Sequence, residues 1–186
     1  AYSIMLVMIL FLIYVNPNDS LSASDSTNYF SEEIEVVAGP GYDVSGVVEE
    51  ILGEHWRPLW ITPFKAGVLD LSKYGGGLQA FKRGGGLQTK SIHFKGNDGK
   101  RYKFRSMDKD PRQVLPPDLR NTVFADAFKD QISASHPLSS IIVSRLLDEI
   151  GVLNVKPIVV VLPDDERLGE FRMEFKRMLG TIEENP

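Results

Sequence analysis

The chain has 186 residues, of which 42% are hydrophobic, so it can bury one core, or one core with a small attached subdomain. It contains no cysteine, which excludes disulfides and thiolate chemistry, and its three histidines are too widely spaced to suggest a metal site. The formal net charge of −4 at pH 7 gives no reason to expect a nucleic-acid partner, because such partners require a clustered basic surface.

An apolar run lies near the start of the chain. Residues 4–15 match the h-region of a signal peptide in length and fall short of the ~20 residues that span a bilayer as a helix. We predict that residues 1–23 are a signal peptide or an uncleaved anchor, and that the protein is exported, either periplasmic or associated with the outer membrane. A buried core helix is the alternative. No initiator methionine or basic segment precedes the run, and residues 181–186 end abruptly, so we expect an N-terminal fragment.

Residues 24–33 are polar and are predicted to be a linker. Residues 34–72 are predicted to form an N-terminal α/β extension, built from a strand at 33–38, a helix at 44–52 and a strand at 68–71. Trp56 and Trp60 are expected to fill its core, and stacking against a sugar or another ligand is the alternative role.

A glycine repeat follows, because the letters GGGLQ occur at 75–79 and again at 84–88. We interpret the repeat as two glycine turns joined by a short connection. Strands are predicted at 89–95 and 101–107, where apolar and polar residues alternate. The letters GNDG at 96–99 predict a hairpin between them, since Asn, Asp and Gly tolerate positive φ.

The last third of the chain is predicted to be helical with two further strands. A helix capped by Asp118 is expected at 118–135, a second at 138–150 with Gly151 at its end, and a third at 168–177. Strands are expected at 156–162 and 178–183, and the acidic residues at 164–166 are interpreted as a solvated turn. The fold class is therefore α+β, an antiparallel sheet with helices on one side.

The segment from Arg83 to Lys109 carries the sharpest chemical signal. Glycine lets backbone N–H groups approach an anion closely, so the loop of Gly84, Gly85 and Gly86, followed by Thr89 and Lys90, is a candidate phosphate site. Arg105 or Lys109 would neutralise the phosphate charge. In the alternative interpretation the glycines form only a tight bend, and the cations line a solvated sheet face.

Residues 68–186 resemble the start of a family of exported bacterial envelope proteins. The resemblance rests on RGGGLQTKSIHFKGNDGKRYKFRSMDKDP at 83–111, on LPPDLRNTVFADAFKDQISASHP at 115–137 and on LPDDERLGEF at 162–171. Members of that family resemble atypical kinases of the HipA, CotH and secreted-kinase groups, and some continue into a surface-antigen β-barrel or a metallophosphoesterase. The resemblance implies that residues 73–186 form a protein-kinase-like N-lobe.

The resemblance also implies roles for individual residues. The loop of Gly84, Gly85 and Gly86 would cover the phosphates of ATP, bound with Mg²⁺ or Mn²⁺ in the full-length protein. Arg105 occupies the position of the kinase strand lysine, with Lys109 as the other candidate cation. Asp130 or Gln131 would be the helix partner of that cation, where kinases use Glu.

Residues 178–183 would lead to the hinge whose backbone meets adenine. The catalytic base and the metal-binding Asp of kinases are not in this sequence, so we expect no phosphoryl transfer by this chain alone. The implied partners are a C-terminal lobe and, in some members, an outer-membrane β-barrel. A non-catalytic accessory or interaction domain is the alternative function, and a ligand-binding module that uses Trp56 and Trp60 is a third.

Overall fold

The computed structural model describes residues 29–44, 46–86 and 88–185, so the predicted signal segment 1–23 and residues 24–28 of the predicted linker lie outside the described residues. Its seven strands are β1 (Phe30–Val36), β2 (Phe64–Leu69), β3 (Leu78–Gly84), β4 (Ser91–Gly96), β5 (Arg101–Ser106), β6 (Ile158–Val161) and β7 (Leu179–Glu184). They form one sheet in the order β1-β2-β6-β7-β5-β4-β3.

Every neighbouring pair in this sheet is antiparallel except β2 and β6, which run parallel. The α+β fold class is confirmed, because helices accompany a mostly antiparallel sheet. The predicted boundary at residue 72 falls between strands of the same sheet, since β2 pairs with β6. The predicted linker overlaps β1, which begins at Phe30.

Five α-helices occur in the described residues: α1 (Gly46–Leu52), α2 (Arg57–Ile61), α3 (Val123–Asp130), α4 (Ser139–Glu149) and α5 (Arg172–Phe175). The 3₁₀ segments are Pro40–Tyr42, Tyr74–Gly76, Pro111–Val114, Gln131–Ala134 and Glu166–Phe171. None of the helices in the described ranges combines the length and apolar character needed to cross a bilayer.

The sheet buries apolar side chains on both of its faces. On the first face, Phe104 and Ile182 pack against Leu168 and Phe175, which come from the helical segment 166–175. On the second face, Trp60 of α2 packs with Ile132, Leu138 and the sheet residues Val159 and Leu179. The expectation that all helices lie on one side therefore needs correction, because the central strands bury apolar residues toward both sides and need a cover on each.

Two predicted helices are shorter than expected for local reasons. Leu119 N–H donates to the Pro116 carbonyl and closes a turn around Asp118. Helix α3 therefore begins at Val123, capped by Thr122, whose Oγ accepts from Ala125 N–H at 3.4 Å. The helix expected at 168–177 is interrupted at Gly169, where φ is 56°, and only α5 remains helical.

The hairpin and the glycine turns follow the prediction more closely. Strands β4 and β5 pair through the turn at 96–99, where Gly99 has φ 83°, and Gly151 ends α4 with φ 70°. The two glycine turns are joined by a full strand, β3, rather than by a short connection. Phe175 is fully buried.

Candidate functional site

The second glycine turn links β3 to β4 in a tightly restricted conformation. Gly85 has φ 100°, and a Cβ built there would lie 2.1 Å from the Thr89 carbonyl oxygen, so only glycine fits. A Cβ on Gly84 would lie 2.6 Å from His93 Nε2 and 2.8 Å from Ser91 Oγ. The side chains of Ser91 and His93 therefore pack directly against the Gly84 backbone and leave no room for a Cβ, and we call this position the notch.

The strand register places Arg105 in line with this notch. Gly84 pairs with Ser91, and Ser91 pairs with Arg105 on the next strand. Directly paired residues in an antiparallel sheet project to the same face, and neighbouring strands lie about 4.8 Å apart. Gly84, Ser91 and Arg105 thus form one row across three strands, on one face of the sheet.

Ser91 carries an unsatisfied buried polar group. Its side chain is 0% exposed, and within the described residues its Oγ has no hydrogen-bond partner. A buried hydroxyl without a partner costs about 1–3 kcal/mol, so native proteins pair most of them. Because this hydroxyl has no accessible surface, an acceptor such as a phosphate oxygen would reach it only after neighbouring side chains, among them His93, move aside.

Arg105 is held by one acidic residue and keeps donors free. Its Nε donates to Glu183 Oε1 of β7 at 3.2 Å, and 46% of its side chain is exposed. Among the described residues the two terminal nitrogens of the guanidinium have no hydrogen-bond partner. The carboxylate therefore orients the guanidinium, and the Nη donors remain available for an anion.

Lys109 also lies near the glycine turn, because backbone hydrogen bonds tie residues 106–110 to residues 88–90. Ser106 N–H donates to the Lys90 carbonyl at 2.8 Å, and Asp110 N–H donates to the Gln88 carbonyl at 2.8 Å. The Lys90 ammonium lies 3.9 Å from Glu174 Oε1. In the described part of the chain no carboxylate lies within 4 Å of the Lys109 ammonium.

Asp130 and Gln131 do not join this row. Asp130 accepts two hydrogen bonds of 2.5 Å from the guanidinium of Arg57, and both side chains are buried. Gln131 is exposed where α3 passes into a 3₁₀ turn. The acid beside Arg105 comes from the sheet instead, as Glu183.

His93 is a further residue beside the glycine turn, and no sequence motif singled it out. Burial and the positive charges of Lys103 and Lys82 lower the pKa of His93 from its usual value of 6.5. Its place beside Ser91 and Gly84 is set by pairing across the sheet. The pairing register of β3 and β4 could have indicated both Ser91 and His93, because Ser91 is the first residue of β4 after the glycine turn.

The other candidate sites are less complete. Trp60 is buried and its Nε1 donates to the Ser135 carbonyl, whereas Trp56 is 42% exposed and stacks on His136. A cavity of about 580 Å³ opens near Tyr74 and Tyr102, away from the tryptophans. Within the described ranges no group of three or more His, Asp or Glu side chains could hold a metal ion.

Comparisons with known proteins add no relative. No family model matches the chain, and searches of curated proteins and of solved structures found no match. The chemistry of the site therefore follows from its own groups. A notch beside glycine N–H groups, a hydroxyl donor, a guanidinium and an imidazole together suit an anion with several oxygen atoms.

Proposed function

We propose that this chain is the phosphate-binding lobe of an exported, kinase-like cell-envelope protein. The observation that carries the proposal is the row of Gly84, Ser91 and Arg105, in which the Ser91 hydroxyl is buried without a partner among the described residues. The ligand proposed for the full-length protein is ATP with Mg²⁺ or Mn²⁺. The described residues supply no three-donor metal set, so we assign no metal ligands.

Each group in the row has a separate part in binding. The N–H groups of the glycine turn approach phosphate oxygens, the Ser91 hydroxyl donates one hydrogen bond, and the Nη atoms of Arg105 donate two more. Glu183 accepts from Nε of Arg105 and so fixes the guanidinium, which leaves the two Nη atoms directed at the ligand. Bidentate donation from Arg to phosphate is stronger than donation between neutral groups.

The order of elements supports the kinase-like part of the proposal. The chain runs β3, glycine turn, β4, hairpin, β5, helices, β6 and β7, which is the order of elements in a protein-kinase N-lobe except that α3 and α4 stand where a kinase has one long helix. In this proposal Glu183 on β7 takes the orienting role that the resemblance gives to a helix residue. Asp130 instead stabilises the fold through Arg57.

The test is ligand binding to the full-length protein. We would measure the affinity for a non-hydrolysable ATP analogue with Mg²⁺, and for inorganic phosphate, by calorimetry. Hydrogen bonds to charged groups contribute about 1.5–3 kcal/mol, so Arg105→Ala should weaken both affinities roughly tenfold to hundredfold. Lys109→Ala, measured in parallel, tests the second candidate cation.

Arg167→Ala is the matched control. Arg167 also pairs with one carboxylate, that of Asp165, and its side chain is 45% exposed against 46% for Arg105. The control should bind both ligands like the wild type. Equal affinities in Arg105→Ala and the control, or no binding by folded wild-type protein, would contradict the proposal.

A second function, an interaction domain, is favoured by one separate observation. Ser144 connects helix α4 to the segment that follows it, because its hydroxyl contacts Asn154 Oδ1 and the Val155 carbonyl. Val143, Leu146 and Ile150, at positions i, i+3 and i+7 of the same helix face, are 51%, 44% and 72% exposed. We propose that another domain of the full-length protein, such as the C-terminal lobe implied by the resemblance, covers this apolar stripe.

Charge substitution in the full-length protein tests that cover. If the stripe is covered, Leu146→Asp and Ile150→Asp should each lower the melting temperature by several degrees, because they bury a charge. Met173→Asp is the control, since Met173 is 76% exposed elsewhere in the fold. If all three variants melt like the wild type, the stripe faces solvent and the interaction hypothesis fails.

A further inference from the structure

Strands β3, β4 and β5 carry a group of positive side chains next to the row described above. We call it the cationic strip, and its members are the cations Lys82, Lys95, Arg101 and Lys103, with the imidazole of His93 among them. The whole chain has a formal net charge of −4, so this positive surface is local rather than general. It goes beyond the proposed function, because none of the four cations Lys82, Lys95, Arg101 and Lys103 belongs to the site at Gly84 and Arg105.

The strip is assembled by strand pairing. Lys82 pairs with His93 and His93 pairs with Lys103, so these three form one row across three strands. Lys95 pairs with Arg101 and forms a second row beside it. Paired residues share a face, and alternate residues of a strand lie about 6.8 Å apart, so the strip is a regular grid of positive charge.

These cations lack acidic partners among the described residues. The flanking residues Arg83, Lys90 and Lys100 each have a carboxylate within 4 Å. By contrast, no carboxylate of the described ranges lies within that distance of the Lys82, Lys95, Arg101 or Lys103 side-chain nitrogens. Lys95 instead lies over the ring of Phe81, 5.1 Å from its centre.

Repulsion between the positive charges of the strip affects the pKa values of the residues at its centre. Burial and the neighbouring cations lower the pKa of His93, and burial followed by Arg105 lowers the pKa of Lys103. Glu183, which pairs with Lys103 in the sheet, acts in the opposite direction and partly offsets the repulsion at Lys103.

The surroundings favour a chain-like partner over a flat one. Lys103 pairs with Glu183 of β7, and Glu183 projects to the same face as Leu179, four residues earlier. Leu179 packs under the layer that contains Trp60, Ile132 and Leu138. The strip therefore lies on the same face of the sheet as the helical layer and beside it, and the regular spacing of its cations suits a chain with repeated charges better than a flat surface.

We propose that the cationic strip binds a linear polyanion, a polymer with phosphate groups repeated along its length. Arg101 and Lys103, with Arg105 beyond them, present a positive side chain about every 6.8 Å along β5, and β3 and β4 add parallel contacts. Binding of this kind releases counterions, so it weakens steeply with salt in proportion to the number of phosphates neutralised.

The experiment titrates long-chain inorganic polyphosphate into the full-length protein at several salt concentrations. The double variant Lys82→Gln/Lys103→Gln should lower the affinity at least tenfold and reduce the slope of log affinity against log salt by roughly 0.7 per cation removed. Its affinity for inorganic phosphate should stay close to that of the wild type, which separates this inference from the proposed function.

The matched control is Lys73→Gln/Lys156→Gln, which removes the same charge near the cavity by Tyr74 and Tyr102. The control should keep the wild-type affinity and salt slope. Equal losses in both double variants would show a response to net charge alone and overturn the proposal. Binding to phosphatidylglycerol vesicles without binding to polyphosphate would also overturn it, in favour of a membrane surface.

Discussion

Arg57 and Asp130 are separated by 73 positions in the chain, yet they form a buried, doubly hydrogen-bonded ion pair. Breaking such a pair leaves one uncompensated buried charge, and that usually costs about 3–5 kcal/mol. We therefore expect Asp130→Ala to lower the free energy of unfolding by about that amount, measured by urea denaturation.

The same variant separates a structural role from a binding role. If Asp130 oriented the phosphate cation, folded Asp130→Ala protein at low temperature would lose phosphate affinity. We expect its affinity to match the wild type, because Glu183 and not Asp130 contacts Arg105. A large loss of phosphate affinity in the folded fraction would instead show that Asp130 takes part in phosphate binding.

His93 gives the site a pH dependence whose sign follows from its lowered pKa. The unfolded chain binds a proton at His93 more readily than the folded chain, so stability falls as the pH drops below about 6.5. A bound anion favours the protonated imidazole. Sulfate, whose charge is constant in this range, should therefore bind more tightly at about pH 5.5 than at about pH 7.5.

The comparison of His93→Gln with His136→Gln tests this assignment. His136 stacks on Trp56, away from the glycine turn, and only burial lowers its pKa. His93→Gln should remove most of the pH dependence of sulfate binding, and His136→Gln should keep it. Unchanged pH dependence in His93→Gln would place the responsible group elsewhere.

At the scale of elements, the glycine turn is the part whose geometry is most specific. A Cβ at Gly84 would clash with His93 and Ser91 and displace them, whereas a Cβ at Gly86 would meet nothing within 4 Å. Gly84→Ala should therefore reduce phosphate affinity severalfold, and Gly86→Ala should not. Calorimetry would measure the phosphate affinity of both variants. Equal affinities would show that phosphate does not bind beside Gly84.

Local patterns predicted β4 to β7 well, but they missed β3, which was interpreted as a short connection, and they placed the helices less accurately. Alternation in 89–95 and 101–107 predicted β4, β5 and their hairpin to within two residues, since a period of two is a local property. Helix boundaries at Val123 and Gly169 were misplaced, because a turn at Leu119 and a positive φ at Gly169 decided them. The exposed apolar stripe of α4 depends on how the helix is rotated, which spacing does not specify.

At the scale of the whole molecule, one sheet places distant residues together. The alternation of β4 and β5 contained the information that one face is apolar and the other cationic, but only the register aligns Ser91 with Gly84 and Arg105. The glycine turn was predicted to bind an anion together with either Arg105 or Lys109, and the register places Arg105 in the row of Gly84. Glu183, Ser91 and His93 join them through long-range pairing that no short motif encodes.

The most direct test of the phosphate site is the affinity of Ser91→Ala full-length protein for inorganic phosphate, measured beside its melting temperature. Because the Ser91 hydroxyl has no partner among the described residues, its removal should leave the melting temperature unchanged or raise it. Ser133→Ala, which removes a buried hydroxyl that donates to the Asp130 carbonyl, should destabilise the fold and keep the affinity. The account predicts a roughly tenfold loss of phosphate affinity in Ser91→Ala alone. Wild-type affinity in Ser91→Ala would contradict it.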